Sequence, residues 1–188
     1  KLQEDIRIRE FLEKKFRDAG VDYIIVERSP REVVITVLAA KPGFIIGRGG
    51  QGIELVRKHI ERKFLKSKTK VRLNVQEVKN PALSARVVAA QIAADIEKRI
   101  AFRRVMKQTV NRVMKAGAKG VKLCLAGRLN GVEIARTEKM AQGKVPLGTL
   151  RSDVDYAQVS ARTIWGSIGI KVWIYKGELF ERKDPLES

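Results

Sequence analysis

The chain has 188 residues, of which 44% are hydrophobic, and its 39 Lys and Arg against 21 Asp and Glu give a formal net charge of +18. This length allows one large domain or two small ones, and the apolar content excludes a disordered basic tail. So large a positive charge predicts a polyanionic partner. The single Cys124 excludes an internal disulfide, and together with the single His59 it excludes an ordinary Cys/His zinc site. No apolar run is long enough to span a bilayer, so we expect no membrane partner. We also expect no metal and no other cofactor.

Residues 1–79 predict a first domain in the order helix, strand, strand, short helix, helix, strand. An amphipathic pattern predicts a helix over residues 1–19 that Gly20 terminates. A turn is predicted at Ser29-Pro30. Runs of β-branched or alternating apolar residues predict three strands: Val21–Val26, Val33–Leu38 and Val71–Val75. A basic connection at Lys66–Lys70 precedes the last of them.

A glycine-rich stretch organises this first domain. Four glycines fall within six positions, at Gly47, Gly49, Gly50 and Gly52, which predicts a turn rather than a regular element. A helix is predicted to follow, because apolar residues recur at roughly helical spacing at Ile53, Val56, Ile60 and Phe64. Such a turn at a helix N-terminus presents unpaired backbone N-H groups and partial positive charge, which favour a phosphate ligand.

The same stretch satisfies two motifs. The dinucleotide fingerprint G-x-G-x-x-G requires a strand running into its first glycine, but Pro42-Gly43 leaves only Phe44–Ile46 to form one; Glu77 would be its ribose-binding acid. The alternative is G-x-x-G, with which KH domains clamp about four nucleotides of single-stranded RNA. The predicted element order is that of a type II KH domain, αββααβ. We therefore predict that the loop and the adjoining helix bind RNA. The predicted RNA-binding residues are Gly47, Arg48, Gly49, Gly50, Arg57 and Lys58. A glycine-rich connection without a ligand stays open as an alternative.

Asn80-Pro81 marks the predicted start of a second domain, residues 80–178, followed by a tail at 179–188. A long helix begins there, with an apolar stripe at Val88, Ile92, Ile96 and Ile100, and a shorter helix spans about Gln108–Ala116. Asn130-Gly131 predicts a hairpin turn. Four strands are predicted: Val121–Ala126, Val132–Gln142, Leu150–Arg162 and Ile168–Tyr175. The fold class is α+β: a type II KH domain followed by an α+β domain with two helices and a four-stranded, mostly antiparallel sheet.

Charge is concentrated in this second domain. Residues 98–132 contain ten Lys and Arg and no Asp or Glu, whereas a solvated helix face usually mixes both signs. Aromatic residues make up only 6% of the chain, which argues against a base-stacking sheet, and Trp165, Trp173 and Tyr175 are interpreted as packing residues. Contacts to phosphate should therefore dominate RNA binding.

Several segments together are similar to a known family. They are Lys41–Gly50, Asn74–Val78, Gly127–Glu138, Gly143–Arg151 and Gly169–Ile174. From about residue 4 to residue 178 the chain resembles the family of small-subunit ribosomal protein S three in its bacterial form. The resemblance implies a non-enzymatic constituent of the small-subunit head that binds 16S rRNA and helps to unwind mRNA as it enters. The implied neighbours are proteins S ten and S fourteen in the head and proteins S four and S five at the mRNA channel. The implied location is the cytoplasmic ribosome, with an organellar ribosome left open.

The resemblance also assigns residues. Phe102–Lys107 matches the family segment whose basic residues face entering mRNA, which selects Arg103, Arg104 and Lys107. Further basic residues of the second domain are predicted to bind rRNA: Arg112, Lys115, Lys119, Arg128, Arg136, Lys139, Lys144, Arg151 and Arg162. The basic N-terminal extension usual in the family lies outside this numbering, and because Lys1 is not a Met we expect residues to precede it.

Two functions from other classes compete with this assignment. A freestanding KH regulator of mRNA would share the loop. A metal-dependent nuclease would use Asp153 and Asp155, two apart on a predicted strand, although Arg151 on the same face is expected to pair with them. No Walker lysine follows the glycines, so an NTPase is unsupported, and His59 beside Leu55 is interpreted as a partly exposed helix residue.

Overall fold

The computed structural model describes residues 2–29, 32–64 and 70–180, and for Arg48 it describes the backbone alone. The chain divides into two compact units, Lys1–Lys79 and Asn80–Ser188. Pro30 of the predicted turn, most of the Lys66–Lys70 connection and residues 181–188 of the predicted tail lie outside the described residues.

The first unit packs helices against a three-stranded sheet. Its elements are α1 Leu2–Lys15, β1 Val21–Arg28, β2 Glu32–Ala39, α2 Pro42–Ile46, α3 Gln51–Lys63 and β3 Lys70–Glu77. The sheet order is β1-β2-β3, with β1 antiparallel and β3 parallel to β2. Parallel neighbours need a crossover, which α2 and α3 provide. This is the predicted KH order, and it is confirmed.

The core of the first unit follows the predicted periodicities. Ile8 and Leu12, four apart on α1, are fully buried, as are Ile45 of α2 and Ile60 of α3. The prediction that the first helix runs to residue 19 is wrong. The α-helix ends at Lys15 and a separate 3-10 turn at Arg17–Ala19 follows, closed by Gly20, which has a φ of 65° and donates its N-H to the carbonyl of Arg17.

The second unit is an antiparallel sheet with both helices on one face. Its elements are α4 Ala85–Glu97, α5 Phe102–Lys115, β4 Gly120–Gly127, β5 Arg136–Gly143, β6 Ser152–Thr163 and β7 Gly166–Glu178. The sheet order is β5-β4-β7-β6, antiparallel throughout. Its core joins Ile92 of α4 and Val113 of α5 to Leu123 and Ile170 of the sheet. The predicted fold class is confirmed.

Both helices of this unit begin elsewhere than predicted. Pro81–Leu83 forms only a 3-10 turn, and α4 begins after Ser84, whose hydroxyl accepts a hydrogen bond from the Val87 N-H at 3.3 Å. The second helix starts at Phe102 rather than Gln108, because buried side chains at Phe102, Val105 and Met106 already follow the helical repeat. The segment from Phe102 to Lys107 is therefore helical rather than a junction between helices.

The connection between β4 and β5 also differs from the prediction. Gly127 pairs with Arg136, so residues 128–135 join the strands instead of a two-residue Asn130-Gly131 hairpin. Leu129 is fully buried and anchors this connection to the core. Asn130 and Gly131 do adopt left-handed φ values, 57° and 79°, but they turn the chain inside a longer loop.

Candidate nucleic-acid interface

The glycine loop is a 3-10 turn, Arg48–Gly50, placed between α2 and α3. Gly47, Gly49 and Gly50 have φ values of 69°, 61° and 77°, in the left-handed region that side chains disfavour. Gly50 is the N-cap of α3 and has no side chain to accept hydrogen bonds from the first turn. The N-H groups of that turn have no acceptor within the helix, so they can donate to a phosphate.

Gly49, Gly50 and Gly52 serve two different purposes. A Cβ at Gly49 or Gly50 would meet no atom within 4 Å, so this side of the loop is open. A Cβ at Gly52 would lie 2.7 Å from the carbonyl oxygen of Ile45 and 2.9 Å from that of Ile46. Gly52 therefore allows the end of α2 to pack on the start of α3, while Gly49 and Gly50 leave space for a ligand.

The dinucleotide interpretation is wrong. Its fingerprint needs a strand leading into Gly47, but Phe44–Ile46 belong to α2. Large apolar side chains are exposed on both helices that flank the loop: Phe44 is 68% exposed and Leu55 is 66% exposed. Arg57 and Lys58 are exposed on α3. The helices on either side of the glycine turn therefore carry exposed apolar side chains, and α3 adds two exposed cations.

In the second unit, the exposed side of α5 is basic. Arg103, Arg104 and Lys107 are all exposed on its first two turns, while the opposite side packs into the core. Arg136, at the start of β5, joins them: its guanidinium lies 5.8 Å from the Phe102 ring centroid, and that of Arg103 lies 5.7 Å from the same centroid. We call these four residues the α5 cation group. Sequence reasoning placed Arg136 with the rRNA-binding residues and did not predict this proximity.

The other predicted rRNA-binding residues divide by their surroundings. Six are exposed: Lys115, Lys119, Lys139, Lys144, Arg151 and Arg162. Arg112 is half-buried, and its Nε has no hydrogen-bond partner within the described part of the chain. Arg128 is held by the fold, since its Nε donates to the carbonyl of Val132 at 2.9 Å and its Nη1 to that of Trp165 at 3.4 Å. Arg151 pairs with Glu178 at 2.9 Å, so its expected pairing with Asp153 and Asp155 is wrong.

Comparison with known proteins accounts for both units. A KH domain model matches residues 7–83, and a model described as ribosomal protein S3, C-terminal domain, matches residues 92–174. Small ribosomal subunit protein uS3 of Desulforamulus reducens is 51% identical over 98% of this chain and 82% of its own length. The chain belongs to the ribosomal protein uS3 family. The proteins of the same name from Pelotomaculum thermopropionicum and Pediococcus pentosaceus are 51% and 50% identical over 100% of this chain, and over 80% and 83% of their own lengths.

Membership of the uS3 family confirms the resemblance seen in the sequence and the expectation that the chain is not an enzyme. Asp155, one of the two acids considered for a nuclease, has a structural role in this uS3-family chain. Asp155 accepts a hydrogen bond from the Ala85 N-H at 2.9 Å and lies 3.6 Å from the Lys176 ammonium, so it ties β6 to the start of α4. Within residues 2–29, 32–64 and 70–180, no three His, Cys, Asp or Glu side chains are grouped to hold a metal ion.

Two further expectations concern aromatic residues: that His59 is partly exposed, and that Trp165, Trp173 and Tyr175 are packing residues. His59 is exposed and stacks on Phe11 of α1, with ring centroids 4.8 Å apart. Tyr175 is buried, Trp173 is half-buried, and Trp165 is 41% exposed beside Gly131.

Across the described ranges, none of the helices combines the length and apolar character needed to cross a membrane.

Proposed function

We propose that this chain is a structural constituent of the small ribosomal subunit, located in the cytoplasmic ribosome, that binds rRNA through both of its units. Its uS3 relatives carry the name of that subunit, and its net charge of +18 suits an RNA partner. The test is sedimentation. The chain should remain with small subunits after a wash at high salt, whereas release into the free fraction would favour a freestanding RNA-binding regulator.

In this proposal the glycine loop clamps the RNA backbone. The open space at Gly49 and Gly50 admits a phosphate to the first turn of α3. Exposed Phe44 and Leu55 offer apolar contact to the bases, and Arg57 and Lys58 add positive charge on α3. The loop thus supplies backbone donors and a shaped surface rather than a concentration of side-chain charge.

We assign the exposed side of α5 to entering mRNA. The observation that carries this assignment is that Arg103, Arg104 and Lys107 project from one side of a helix whose other side is buried. The helix holds the cations at fixed spacing, and cations so placed position a phosphate backbone without selecting bases. Unwinding of a hairpin needs the incoming strand held in this way.

The remaining assignments extend the family resemblance. The exposed Lys115, Lys119, Lys139, Lys144, Arg151 and Arg162 would contact 16S rRNA, whereas Arg112 and Arg128 would do so only if their present surroundings rearrange. Proteins S ten and S fourteen would be neighbours in the head, and proteins S four and S five would complete the mRNA channel.

The test of the mRNA assignment is the triple substitution Arg103→Ala, Arg104→Ala and Lys107→Ala. We expect near-normal folding and subunit assembly, because these side chains are exposed, together with slower translation through a stable mRNA hairpin and normal rates on unstructured mRNA. The measurement is ribosome progress across matched messages with and without the hairpin.

A matched control removes three exposed cations from α1, where they alternate with acids: Arg7→Ala, Arg9→Ala and Lys14→Ala. This control should leave hairpin translation unchanged. If the α5 variant instead assembles poorly while its surviving ribosomes cross hairpins normally, these cations bind rRNA and the mRNA assignment is wrong.

A further inference from the structure

The sheet of the second unit has one face covered by α4 and α5 and an opposite face that carries polar and aromatic side chains. Strand alternation separates them: Val121, Leu123 and Leu125 of β4 are buried, while Lys122 and Cys124 between them are not. Extending this register across the sheet defines the open sheet face: Lys122, Lys139, Tyr156, Arg162, Lys171 and Trp173.

Two aromatic rings lie side by side on the open sheet face. Tyr156 of β6 and Trp173 of β7 are direct partners in the strand register, with ring centroids 5.2 Å apart and planes inclined by 37°. Tyr156 is 47% exposed on an edge strand. The Lys122 ammonium lies 5.1 Å from the Trp173 ring centroid on the other side. A base stacked on these rings would find a cation beside it.

The next row of the same face is basic. Lys171 is in register with Gln158 on one side and with Cys124 on the other, and Cys124 is in register with Lys139. This row lies two residues along the strands from the aromatic row, a distance of about 7 Å. The two rows therefore place stacking surfaces and cations within the reach of one nucleotide.

The charge on this face has a single sign. Over residues 120–127, 136–143, 154–163 and 166–175, the charged side chains at outward registers are Lys122, Lys139, Arg162 and Lys171. The acids of these strands alternate to the other face: Glu138 is in register with buried Leu125, and Asp155 with buried Ile174. Positive charge without acids matches a polyanion, and an exposed tyrosine beside a half-buried tryptophan among the cations matches unpaired bases.

We propose that the open sheet face binds single-stranded RNA, with a base stacked on Tyr156 and Trp173 and phosphates held by Lys122, Lys139 and Lys171. This binding mode rests on the proposed function, since it assumes an RNA-binding ribosomal protein, and it adds a second single-strand site to the glycine loop. It departs from the expectation that sparse aromatic residues argue against a stacking sheet, because two of the few aromatics share one face.

The chain carries its own reporter for this site. Cys124 is its only cysteine, and in the strand register it lies between Lys139 and Lys171. Bound RNA should therefore shield its thiol. We expect a 12-nucleotide oligouridylate at low salt to slow alkylation of Cys124 by iodoacetamide at least fivefold, and an abasic oligomer of equal length and charge to protect it much less. Alkylation unaffected by saturating oligouridylate overturns the proposal.

Tryptophan fluorescence gives an independent readout in a Trp165→Phe chain, where Trp173 is the only tryptophan. Stacking of a base should quench its emission on addition of oligouridylate, with the abasic oligomer as the control. The Gly49→Asp and Gly50→Asp chain should show the same protection and quenching, because its altered loop is in the other unit. Loss of both signals in that chain would assign them to the loop and contradict the sheet site.

Substitutions separate stacking from charge. Tyr156→Ala and Lys171→Ala should each weaken oligouridylate binding, as measured by Trp173 quenching, about fivefold or more, while Tyr156→Phe keeps the ring and should bind nearly as well as the unaltered chain. Phe180→Ala removes an exposed aromatic beyond the end of β7, and Lys98→Ala an exposed cation at the end of α4. Both controls should leave quenching unchanged. Equal losses in controls and test variants would show that the face has no specific role.

Failure of this site is distinguishable from failure of the proposed function. If the chain sediments with small subunits but oligouridylate neither protects Cys124 nor quenches Trp173, the sheet site is wrong and the ribosomal assignment stands. If the chain does not sediment with subunits, the ribosomal assignment fails by itself. Protection of Cys124 in assembled subunits that survives ribonuclease digestion would identify a protein on this face and overturn the RNA proposal.

Discussion

The glycine loop of the first unit and the α5 cation group of the second are both suited to RNA, but they offer different atoms. The loop presents backbone N-H groups in a turn with left-handed glycines, and the turn itself contains one cation, Arg48. The α5 cation group presents Arg and Lys side chains, three from the first two turns of α5 and Arg136 from the start of β5. One surface depends on shape and the other on charge.

The two surfaces should therefore respond to different perturbations. Salt screens side-chain cations and competes for phosphate, so it should act mainly on α5. A change of glycine should act mainly on the loop, because there the backbone itself must approach the ligand.

Salt should have the largest effect. For the unaltered chain, the logarithm of the association constant for single-stranded RNA should fall by about 0.7 per phosphate contact for each unit of log salt concentration. With about six contacts, a fourfold rise in salt concentration therefore weakens binding roughly 300-fold. Alanine at Arg103, Arg104 and Lys107 should lower the slope by about 2. Filter binding across a salt series measures both. A shallow slope in the unaltered chain, or no change in the variant, would contradict the division.

Gly52→Ala should have the next largest effect, on folding rather than on charge. Its Cβ would collide with the carbonyl of Ile45, so α2 and α3 must separate, at a cost of about 1–3 kcal/mol. Hydrogen exchange in α2 and α3 should accelerate accordingly. Gly43→Ala is the control, since a Cβ there meets nothing within 4 Å and should leave exchange unchanged. Equal exchange in the two variants would show that Gly52 is not a packing residue.

Gly49→Asp with Gly50→Asp should have a moderate effect on binding and little on the fold. Both positions are open, and Asp is one of the few side chains that adopt the left-handed region, so we expect the fold to form with a modest loss of stability, on the order of 1 kcal/mol per position. The added carboxylates repel phosphate, and we expect binding of single-stranded RNA to residues 1–80 to weaken about tenfold.

Two controls add charge elsewhere: Gly43→Asp adds one carboxylate within residues 1–80, and Gly43→Asp with Gly148→Asp adds two in the full chain, each compared with the loop variant of the same length. Both sites have open space and no left-handed φ. These variants should bind more tightly than the loop variant. Binding unaffected by the loop substitutions would show that the loop is not a clamp.

Arg28→Ala should have the smallest effect. The Arg28 guanidinium at the end of β1 donates to Asp5 at 2.7 Å and lies 3.0 Å from Glu4, so it holds the start of α1 to the sheet. Burial lowers the pKa of Arg28, but its hydrogen bonds to Asp5 and Glu4 outweigh this and raise the pKa above the ordinary arginine value. Because the pair is partly exposed, we expect a loss of about 1 kcal/mol in the free energy of unfolding.

The sign of the shift fixes the pH dependence of this loss. A raised pKa stabilises the fold at every pH below the ordinary arginine value, and the contribution disappears only as the pH rises through the raised one. The difference between Arg28→Ala and the unaltered chain should therefore stay constant between about pH 6 and pH 9. Denaturant unfolding at both pH values measures it. A difference that vanishes by pH 9 would exclude Arg28 as its source.

Local patterns in the sequence predicted much of the first unit. Clustered glycines placed the turn before α3, and the apolar repeat at Val56 and Ile60 placed the buried side of that helix. The same logic misplaced the start of α5. The predicted helix began at Gln108, whereas Phe102, Val105 and Met106 were already part of the apolar repeat beside Arg103 and Arg104. A cap would have marked the start, but Ala101 provides no side-chain cap.

The element types, the α+β class and the glycine turn follow from sequence patterns, because they depend on residues close in the chain, and the excess of positive charge follows from composition. Only the tertiary structure decided which distant residues meet. Arg136 joins Arg103 beside Phe102, Asp155 anchors Ala85, and Tyr156 lies against Trp173. The physical reason is that strand order and register bring these pairs together. Which face of the sheet is buried depends on the packing of α4 and α5 against it, and no local sequence pattern specifies that packing.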